Sequence, residues 1–176
     1  MELFDLIREL KYVSDYLPQY HKNKFIEAIK TENDLENLSF FLRSCENLLR
    51  QEVYLVDEAQ KRENFARDVK IFCSLISEKY IGQNDTEYAY MVQDIKHCLD
   101  ESIKLVPENR EEYPKIEKRL NSYFSNLVDT HAQSVEQLFE VGQIFSNIQD
   151  EHLLEKYGNK MVTADLVMAD NRTRSV

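Results

Sequence analysis

The chain has 176 residues, which is enough for one domain with a sizeable hydrophobic core and short for two. It contains 32 acidic and 22 basic side chains, and this formal net charge of −10 argues against direct binding to nucleic acid because phosphate contacts need clustered cations. Only three glycines and three prolines are present, too few for the turns of a sheet protein, so the composition predicts an all-α fold.

No segment of the sequence predicts export or membrane insertion. Met1 precedes an acidic amphipathic segment, whereas a secretory signal has a basic start and an apolar core. No apolar run approaches the roughly 20 residues that a membrane-spanning helix needs. The three cysteines are an odd number and lie far apart in the sequence, so they do not resemble a disulfide framework or a zinc cluster. We therefore expect a cytoplasmic protein in which Cys45 and Cys73, which lie on apolar helix faces, are small buried side chains.

The first predicted helix covers Met1–Leu17 and ends before Pro18, which cannot continue a helix. Its apolar side chains recur every three or four residues, as on the buried face of an amphipathic helix: Leu3, Leu6, Leu10, Val13 and Leu17. Phe4 and Tyr12 lie away from this face. The helix therefore either sits between neighbouring helices or uses its second side to contact another chain, and the latter option predicts a homodimer.

A series of tyrosines gives this region a second candidate contact. Tyr12, Tyr16 and Tyr20 are spaced by four residues and would share one edge of a continuous helix. Their rings either cover the junction with a shorter helix over Tyr20–Lys30 or form a patch for a partner. We include Tyr12 and Tyr16 among the candidate partner-binding residues.

The longest uninterrupted stretch is Thr31–Gly82, which has no internal glycine or proline. Thr31, with Asp34 three residues later, predicts a helix N-cap of the capping-box type with Asp in place of the usual Glu, and Gly82 predicts a C-terminal stop. Two apolar seams run through the stretch, and the second is out of phase with the first by one residue. We expect one long helix or two coaxial helices, with a break or kink at Asp57 preferred.

A further helix is predicted from Asn84 to Val106, ended by Pro107. Its apolar face consists of Tyr88, Val92, Ile95, Leu99, Ser102 and Val106. On the opposite face, Asp94, His97 and Glu101 have the spacing of half a carboxylate metal site. Such sites lie inside a bundle and draw ligands from several helices, so we expect a solvated face here, with no metal or other cofactor.

A polar loop over Pro107–Tyr113 precedes the second long stretch, Pro114–Gly158. Apolar residues recur in a near-heptad rhythm and support one long helix, although Thr130 and Ser134 could each cap a restart. His131 falls on the apolar face, which predicts a core histidine that is hydrogen-bonded to a facing helix.

The outer face of this second stretch is acidic, and its middle part lacks Lys and Arg altogether. On helical spacing, Asp129, Glu136 and Glu140 share the side opposite the apolar face, with Gln133 beside them. Surface helices usually mix charge signs because like charges repel. This acidic face is therefore either a solvated surface or a docking surface for a basic protein, or for a nucleic-acid-binding groove that it occupies in place of phosphate.

Taken together, the periodic segments predict an all-α bundle of about six helices in residues 1–158, with the two long stretches as its main members. Residues 159–176 are expected to form a C-terminal tail that is partly disordered.

No phosphate-binding glycine loop, zinc-protease motif, nucleophile elbow or calcium-binding loop occurs in the sequence, and we predict no catalytic residue. We interpret the chain as a non-enzymatic interaction factor of the inhibitor, immunity, anti-defence or adaptor type. Its partner would present a basic surface. A self-assembling structural subunit is the alternative, and a helical-bundle metal-binding protein or enzyme that uses His131, or His97 with Asp94 and Glu101, is the third hypothesis.

Overall fold

The computed structural model describes residues 2–12, 19–51, 56–131 and 135–148. In these residues the chain forms seven α-helices and two short 3₁₀ helices, with no strand, so the predicted all-α bundle is confirmed. The first four helices are α1 (Leu3–Tyr12), α2 (Gln19–Thr31), α3 (Leu35–Arg50) and α4 (Val56–Glu78). They are followed by the 3₁₀ helix η1 (Thr86–Met91), α5 (Val92–Leu105), the 3₁₀ helix η2 (Pro107–Glu112), α6 (Tyr113–His131) and α7 (Val135–Ile148).

The stretch predicted as one long helix or two coaxial helices is an antiparallel hairpin of α3 and α4. Helix α3 ends at Arg50 because the next residue, Gln51, has an extended backbone with φ −61° and ψ 138°. Lys79, just beyond α4, donates a hydrogen bond of 2.9 Å to the carbonyl oxygen of Glu32, just before α3. The end of α4 therefore lies beside the start of α3. The chain does break, but Asp57, the predicted N-cap, is inside α4.

The predicted capping box at the start of this stretch is also wrong. Thr31 is the last residue of α2, and its hydroxyl donates to carbonyl oxygens of the preceding turn. Asp34 is the N-cap of α3, and its carboxylate accepts from the backbone N–H groups of Glu36 and Asn37 over 2.8 and 3.3 Å. Threonine and aspartate are both good N-caps, so residue type alone did not distinguish them.

Three phenylalanine rings join α2 to the α3–α4 hairpin. Phe25, Phe41 and Phe72 are all fully buried. The ring centroid of Phe41 lies 5.5 Å from those of Phe25 and Phe72, and the latter two are 5.8 Å apart. Aromatic pairs at such distances contribute about 0.5–1.5 kcal/mol each beyond the burial of their area. This cluster fixes how the second, third and fourth helices pack.

The predicted apolar seams are buried along most of their length. In α1, α3 and α4 these buried residues are Leu3, Leu6, Leu10, Leu38, Leu42, Cys45, Leu49, Phe65, Val69, Phe72 and Ile76. In the segments that follow they are Val92, Ile95, Leu99, Ser102, Val106, Ile116, Leu120, Phe124 and Leu127. Together with Val141 and Ile144 of α7, these apolar residues belong to one hydrophobic cluster.

All three cysteines meet in this cluster. Cys45, Cys73 and Cys98 come from α3, α4 and α5, and each is fully buried and unoxidised. Cys98 lies between the other two and shares hydrogen bonds with both. Its hydrogen bond with Cys73, together with burial, raises the pKa of the Cys73 thiol well above its usual range. The expected burial of Cys45 and Cys73 is confirmed, and their contact through Cys98 marks where three helices cross.

The turn after α4 leads into η1 before α5 begins. Helix α4 ends at Glu78, and the turn that follows includes Gly82, whose φ of +77° lies in the left-handed region that favours glycine. Gly82 thus helps to end this stretch, as predicted. The helix expected from Asn84 starts as η1 at Thr86 and becomes α-helical at Val92.

The segment predicted as a polar loop, Pro107–Tyr113, is helical through η2. Asn109 anchors it, because this side chain is buried and its amide donates to the carbonyl oxygen of Ala66 in α4 over 2.9 Å. Pro114 then occupies the first turn of α6, close to its predicted place. The helix could tolerate it there because the first N–H groups have no partner inside the helix.

The second long stretch contains two helices that contact each other, α6 and α7. Helix α6 reaches His131 and α7 starts at Val135, whereas Ser134, a candidate for the restart, lies outside the described residues. Within the described residues the stretch is therefore divided between two helices, and residues 149–158 of the predicted long helix lie outside the described part of the chain. The predicted tail, residues 159–176, also lies outside the described residues.

Truncation of a core leucine tests the buried seams. Leu42 is fully buried, so Leu42→Ala is expected to lower the free energy of unfolding by about 2–5 kcal/mol through lost contacts and a cavity. Ile81→Ala is the matched control, since Ile81 is 66% exposed and its truncation should change stability by less than about 0.5 kcal/mol. Urea denaturation followed by circular dichroism measures both. Equal midpoints for the two variants would contradict the assignment of Leu42 to the core.

The start of α3 gives a second prediction. Asp34→Ala removes the acceptor for two backbone N–H groups and should cost about 0.5–2 kcal/mol of unfolding free energy. Thr31→Ala changes an exposed residue at the end of α2 and should cost only a few tenths of a kcal/mol at most. The same denaturation experiment ranks the two variants. A larger loss for Thr31→Ala would instead support the capping box predicted from the sequence.

Candidate functional site

An open groove of about 1110 Å³ lies between α1, the first half of α3 and η1. Three of the four large apolar side chains that are exposed in the described residues line it: Phe4 at 46%, Phe40 at 38% and Tyr90 at 61%. The fourth, Ile81, is not part of its lining. Single exposed apolar side chains are ordinary on a protein surface, but several around one groove are typical of an interaction site.

The α3 wall of the groove presents an acid, a ring and a base in succession. Glu36, Phe40 and Arg43 are all exposed and all line the groove. Their spacing of four and three residues keeps them on one face of the helix. With a rise of about 1.5 Å per residue, Phe40 lies about 6 Å and Arg43 about 10.5 Å along the helix axis from Glu36.

The opposite wall is η1, which presents an acid and a ring. Glu87 and Tyr90 are both exposed, and they are separated by one turn because a 3₁₀ helix has three residues per turn. Met91, 2% exposed, lies in the same lining and belongs to the hydrophobic core. Each wall thus carries one exposed ring, Phe40 on α3 and Tyr90 on η1, next to a residue that is buried in the core, Phe41 and Met91 respectively.

Two buried tyrosines hold η1 in position. The hydroxyl of Tyr80 donates to the backbone carbonyl of Tyr88 over 2.7 Å, and the hydroxyl of Tyr123 donates to the backbone carbonyl of Asp85. The Tyr80 and Tyr123 rings pack edge to face, with centroids 5.1 Å apart. Tyr80 follows the end of α4 and Tyr123 belongs to α6, so these two hydrogen bonds tie the residue before η1 and the middle of η1 to the bundle core.

The directions of the two walls follow from contacts between α3 and α5. The hydroxyl of Ser39 donates to the carboxylate of Asp94, and further along the guanidinium Nε of Arg50 lies 3.2 Å from Glu101. The contact that lies later in α3 also lies later in α5, so the two helices run parallel. η1 leads directly into α5, so Glu87 and Tyr90 come before the Ser39–Asp94 contact along the chain.

The exposed charges of the groove have no partners within the described part of the chain. Glu36, Glu87 and Arg43 form no ion pair there. Asp34, which also lines the groove, is already engaged as the N-cap of α3. The groove is therefore negative at the start of α3 and positive at Arg43, with aromatic rings between.

The described residues among those predicted from sequence to bind a partner do not line the groove. Asp129, Glu136 and Glu140 are exposed, but Asp129 is on α6 and the two glutamates are on α7, and none of the three lines the groove. Tyr12 is the last residue of α1. Tyr16 and Gln133 lie outside the described residues.

The expected solvated face of α5 is partly a helix contact. Asp94 accepts a hydrogen bond from Ser39, and the Glu101 side chain is only 12% exposed between Arg50 and Lys104. Hydrogen bonds from Lys104 and Arg50 lower the pKa of the Glu101 carboxyl. His97 is exposed as predicted. Across residues 2–12, 19–51, 56–131 and 135–148, no three His, Cys, Asp or Glu side chains are arranged to hold a metal ion.

His131 differs from the core histidine that the sequence predicts. It is half-buried at the end of α6, and its Nε2 atom is buried without a hydrogen-bond partner among the described residues. The expected hydrogen bond to a facing helix is therefore not present at this nitrogen in the described part of the protein.

No protein-family model, curated protein sequence or solved structure matches the chain. Among the described helices, none combines the length and apolar character required to cross a membrane. The groove is the candidate site because three exposed aromatic rings line it.

The aromatic residues of the groove carry a weak signal in the sequence. Phe4 and Tyr90 each lie away from the apolar seam of their own segment, and Phe40 adjoins the buried Phe41 but is exposed. An aromatic residue on the polar face of an amphipathic helix was the available signal. The three rings are far apart in the sequence and come together only in the folded protein, so no local sequence pattern could predict that they share a groove.

The tyrosine anchors predict alkaline sensitivity. Burial raises the pKa of the hydroxyls of Tyr80 and Tyr123 above the usual value near 10. Above about pH 10 the unfolded chain ionises these groups while the folded chain keeps them neutral, so rising pH favours unfolding. The stability that depends on these groups is complete below about pH 10 and is lost as pH rises through their raised pKa values.

We expect the urea midpoint to fall steeply above about pH 10, and to fall less steeply for Tyr123→Phe, which cannot ionise. Ultraviolet absorbance of tyrosinate in the native protein supplies an independent readout. Full titration of all tyrosines near pH 10 without a loss of stability would contradict the assigned anchors.

Proposed function

We propose that the chain is a non-enzymatic interaction factor that binds a segment of a basic protein partner in the groove between α1, α3 and η1. The observation that carries this proposal is the clustering of three exposed aromatic rings, Phe4, Phe40 and Tyr90, around one groove, whose charged side chains Glu36, Glu87 and Arg43 form no ion pair with another described residue. Inhibitor and adaptor roles both follow from such binding. A cytoplasmic location belongs to the proposal.

The rings supply the affinity. Full burial of a large apolar side chain is worth about 1.5–3 kcal/mol, and these rings are between 38 and 61% exposed. Covering each would therefore contribute on the order of 1 kcal/mol, and roughly 1.4 kcal/mol corresponds to a tenfold change in affinity. The tyrosine anchors of η1 add to this, because a preformed wall loses little conformational entropy when a partner binds.

The charges favour a basic partner. The chain has a net charge of −10, and three acidic residues line the groove against one basic residue: Asp34, Glu36, Glu87 and Arg43. Opposite charge on a partner would speed association and disfavour acidic competitors. The exposed acids of α7, Glu136 and Glu140, are a second candidate contact for the same partner.

The groove is tested by paired substitutions on the surface. Phe40→Ser combined with Tyr90→Ser should weaken binding of the cellular partner by about 10- to 100-fold, because two rings no longer become buried. Ile81→Ser is the matched control, since it removes an exposed apolar side chain that is not in the groove. The partner is first identified by affinity capture from the native cell with both variants in parallel, and affinity is then measured by calorimetry.

Circular dichroism should show equal helix content for both variants, since all three residues are exposed. If the groove variant binds normally and Glu136→Lys with Glu140→Lys does not, the contact is the acidic face of α7 instead. Sedimentation of the protein alone examines the alternative of self-assembly. A dimer that the groove variant abolishes would identify a second copy as the occupant.

A further inference from the structure

We infer that the C-terminal segment of this chain, residues 159–176, binds in the groove between α1, α3 and η1 and must be displaced before a partner can bind there. The inference rests on the proposed function for the identity of the site, and it adds a form of regulation. It is argued from the chemistry of the groove, the chemistry of the segment and the position of α7.

The groove combines exposed rings with an excess of acidic side chains. Phe40 and Tyr90, on opposite walls, are 38 and 61% exposed. Glu36 and Glu87 are exposed on the same two walls and form no ion pair with another described residue. A segment that binds here therefore needs apolar side chains to cover the rings and cations to face the carboxylates.

The C-terminal segment has both kinds of side chain. Its first part is apolar at five positions: Met161, Val162, Leu166, Val167 and Met168. The part from 171 to 176 contains Arg172 and Arg174 and no acidic side chain. With three basic and two acidic side chains the segment is slightly basic, whereas the whole chain has a net charge of −10. The segment therefore complements the groove in apolar character and in charge.

Helix α7 brings the chain to one wall of the groove, because it contacts η1. At a rise of about 1.5 Å per residue α7 is about 21 Å long, so its end at Ile148 lies within about that distance of the contact with η1 along the helix. Residues 149–158 connect Ile148 to the segment, and a chain of that length can span up to about 33 Å. The connection is therefore long enough for the segment to reach the groove.

Attachment to the same chain makes a weak contact sufficient. A segment on a short linker has an effective concentration on the order of 1 mM at its site. If the separate segment bound with a dissociation constant of about 0.1 mM, the attached segment would occupy the groove about nine-tenths of the time. A partner would then bind about tenfold more weakly than it binds to the open groove.

A nitroxide spin label on Ser175→Cys of the full chain tests the position of the segment. The three native cysteines are fully buried, so the labelling reagent reacts with the introduced thiol. We expect strong broadening of the backbone NMR signals of Phe40 and Tyr90, relative to a sample in which the label has been reduced. Arg172→Glu with Arg174→Glu in the same labelled chain should remove this broadening, because acids would then face the carboxylates of the groove.

A mixed sample distinguishes the chain's own segment from that of a second copy. Here the isotope-labelled wild type carries no spin label, and the spin-labelled chain carries no isotope. Broadening at Phe40 and Tyr90 in this mixture would place a second copy's segment in the groove and overturn the inference. Broadening at Glu136 and Glu140 of α7, in place of the groove residues, would overturn it as well.

A synthetic peptide of residues 159–176 measures the competition. Fluorescence anisotropy should show about 5- to 20-fold tighter binding of the labelled peptide to the Arg172→Glu, Arg174→Glu chain than to the wild type, because the attached segment no longer competes. Arg110→Glu with Lys118→Glu is the matched control, since it changes the net charge equally at exposed positions outside the groove. Equal binding of the peptide to the wild type and the segment variant would overturn the inference.

Phe40→Ser with Tyr90→Ser separates this result from the fate of the proposed function. If the spin label leaves the groove signals unbroadened while this double substitution weakens binding of the cellular partner, only the present inference fails. If the double substitution abolishes peptide binding while the cellular partner binds normally, the segment does occupy the groove and the proposed function fails. Equal circular dichroism spectra of the variants exclude misfolding as the cause.

Discussion

The packing of Phe72 against Phe25 and Phe41 closes the α3–α4 hairpin, and the rest of the bundle depends on that closure. Helix α5 packs against both helices of this hairpin, α3 and α4. The three buried cysteines, one from each helix, lie where these helices meet. η1, the segment that completes the groove with α3, runs directly into α5. A surface feature formed by residues far apart in the chain is thus set by contacts in the centre of the protein.

Burial was predictable from sequence, whereas the hairpin was not. Every buried seam residue recurs at helical spacing, and this periodicity records which side of a helix faces the core. The end of α3 at Arg50 has no glycine or proline to mark it, and the signals that were read, Thr31 and Asp57, fall inside helices. What reverses the chain is a set of contacts between distant residues, such as Lys79 with the carbonyl oxygen of Glu32, and local sequence carries no record of them.

The candidate site shows the same limit. Phe4 and Tyr90 were identifiable as rings away from the apolar seams, but their meeting with Phe40 depends on how α1, α3 and η1 assemble. The acidic face was derived by extending one helix through residues that the structure divides between α6 and α7, so spacing no longer relates Asp129 to Glu140. Periodicity therefore relates residues within one helix, and a site shared by several helices requires the tertiary arrangement.

The two tyrosine hydroxyls donate to the backbone carbonyls of Tyr88 in η1 and of Asp85 just before it, and they leave the outward side chains of η1 uninvolved. Substitutions at Glu87 and Tyr90 could therefore accumulate without moving the wall that carries them. Under the proposed function, recognition and stability are encoded by separate sets of residues in this region, so η1 would be a surface on which specificity can diverge, in nature or by selection in the laboratory, while the same scaffold is retained.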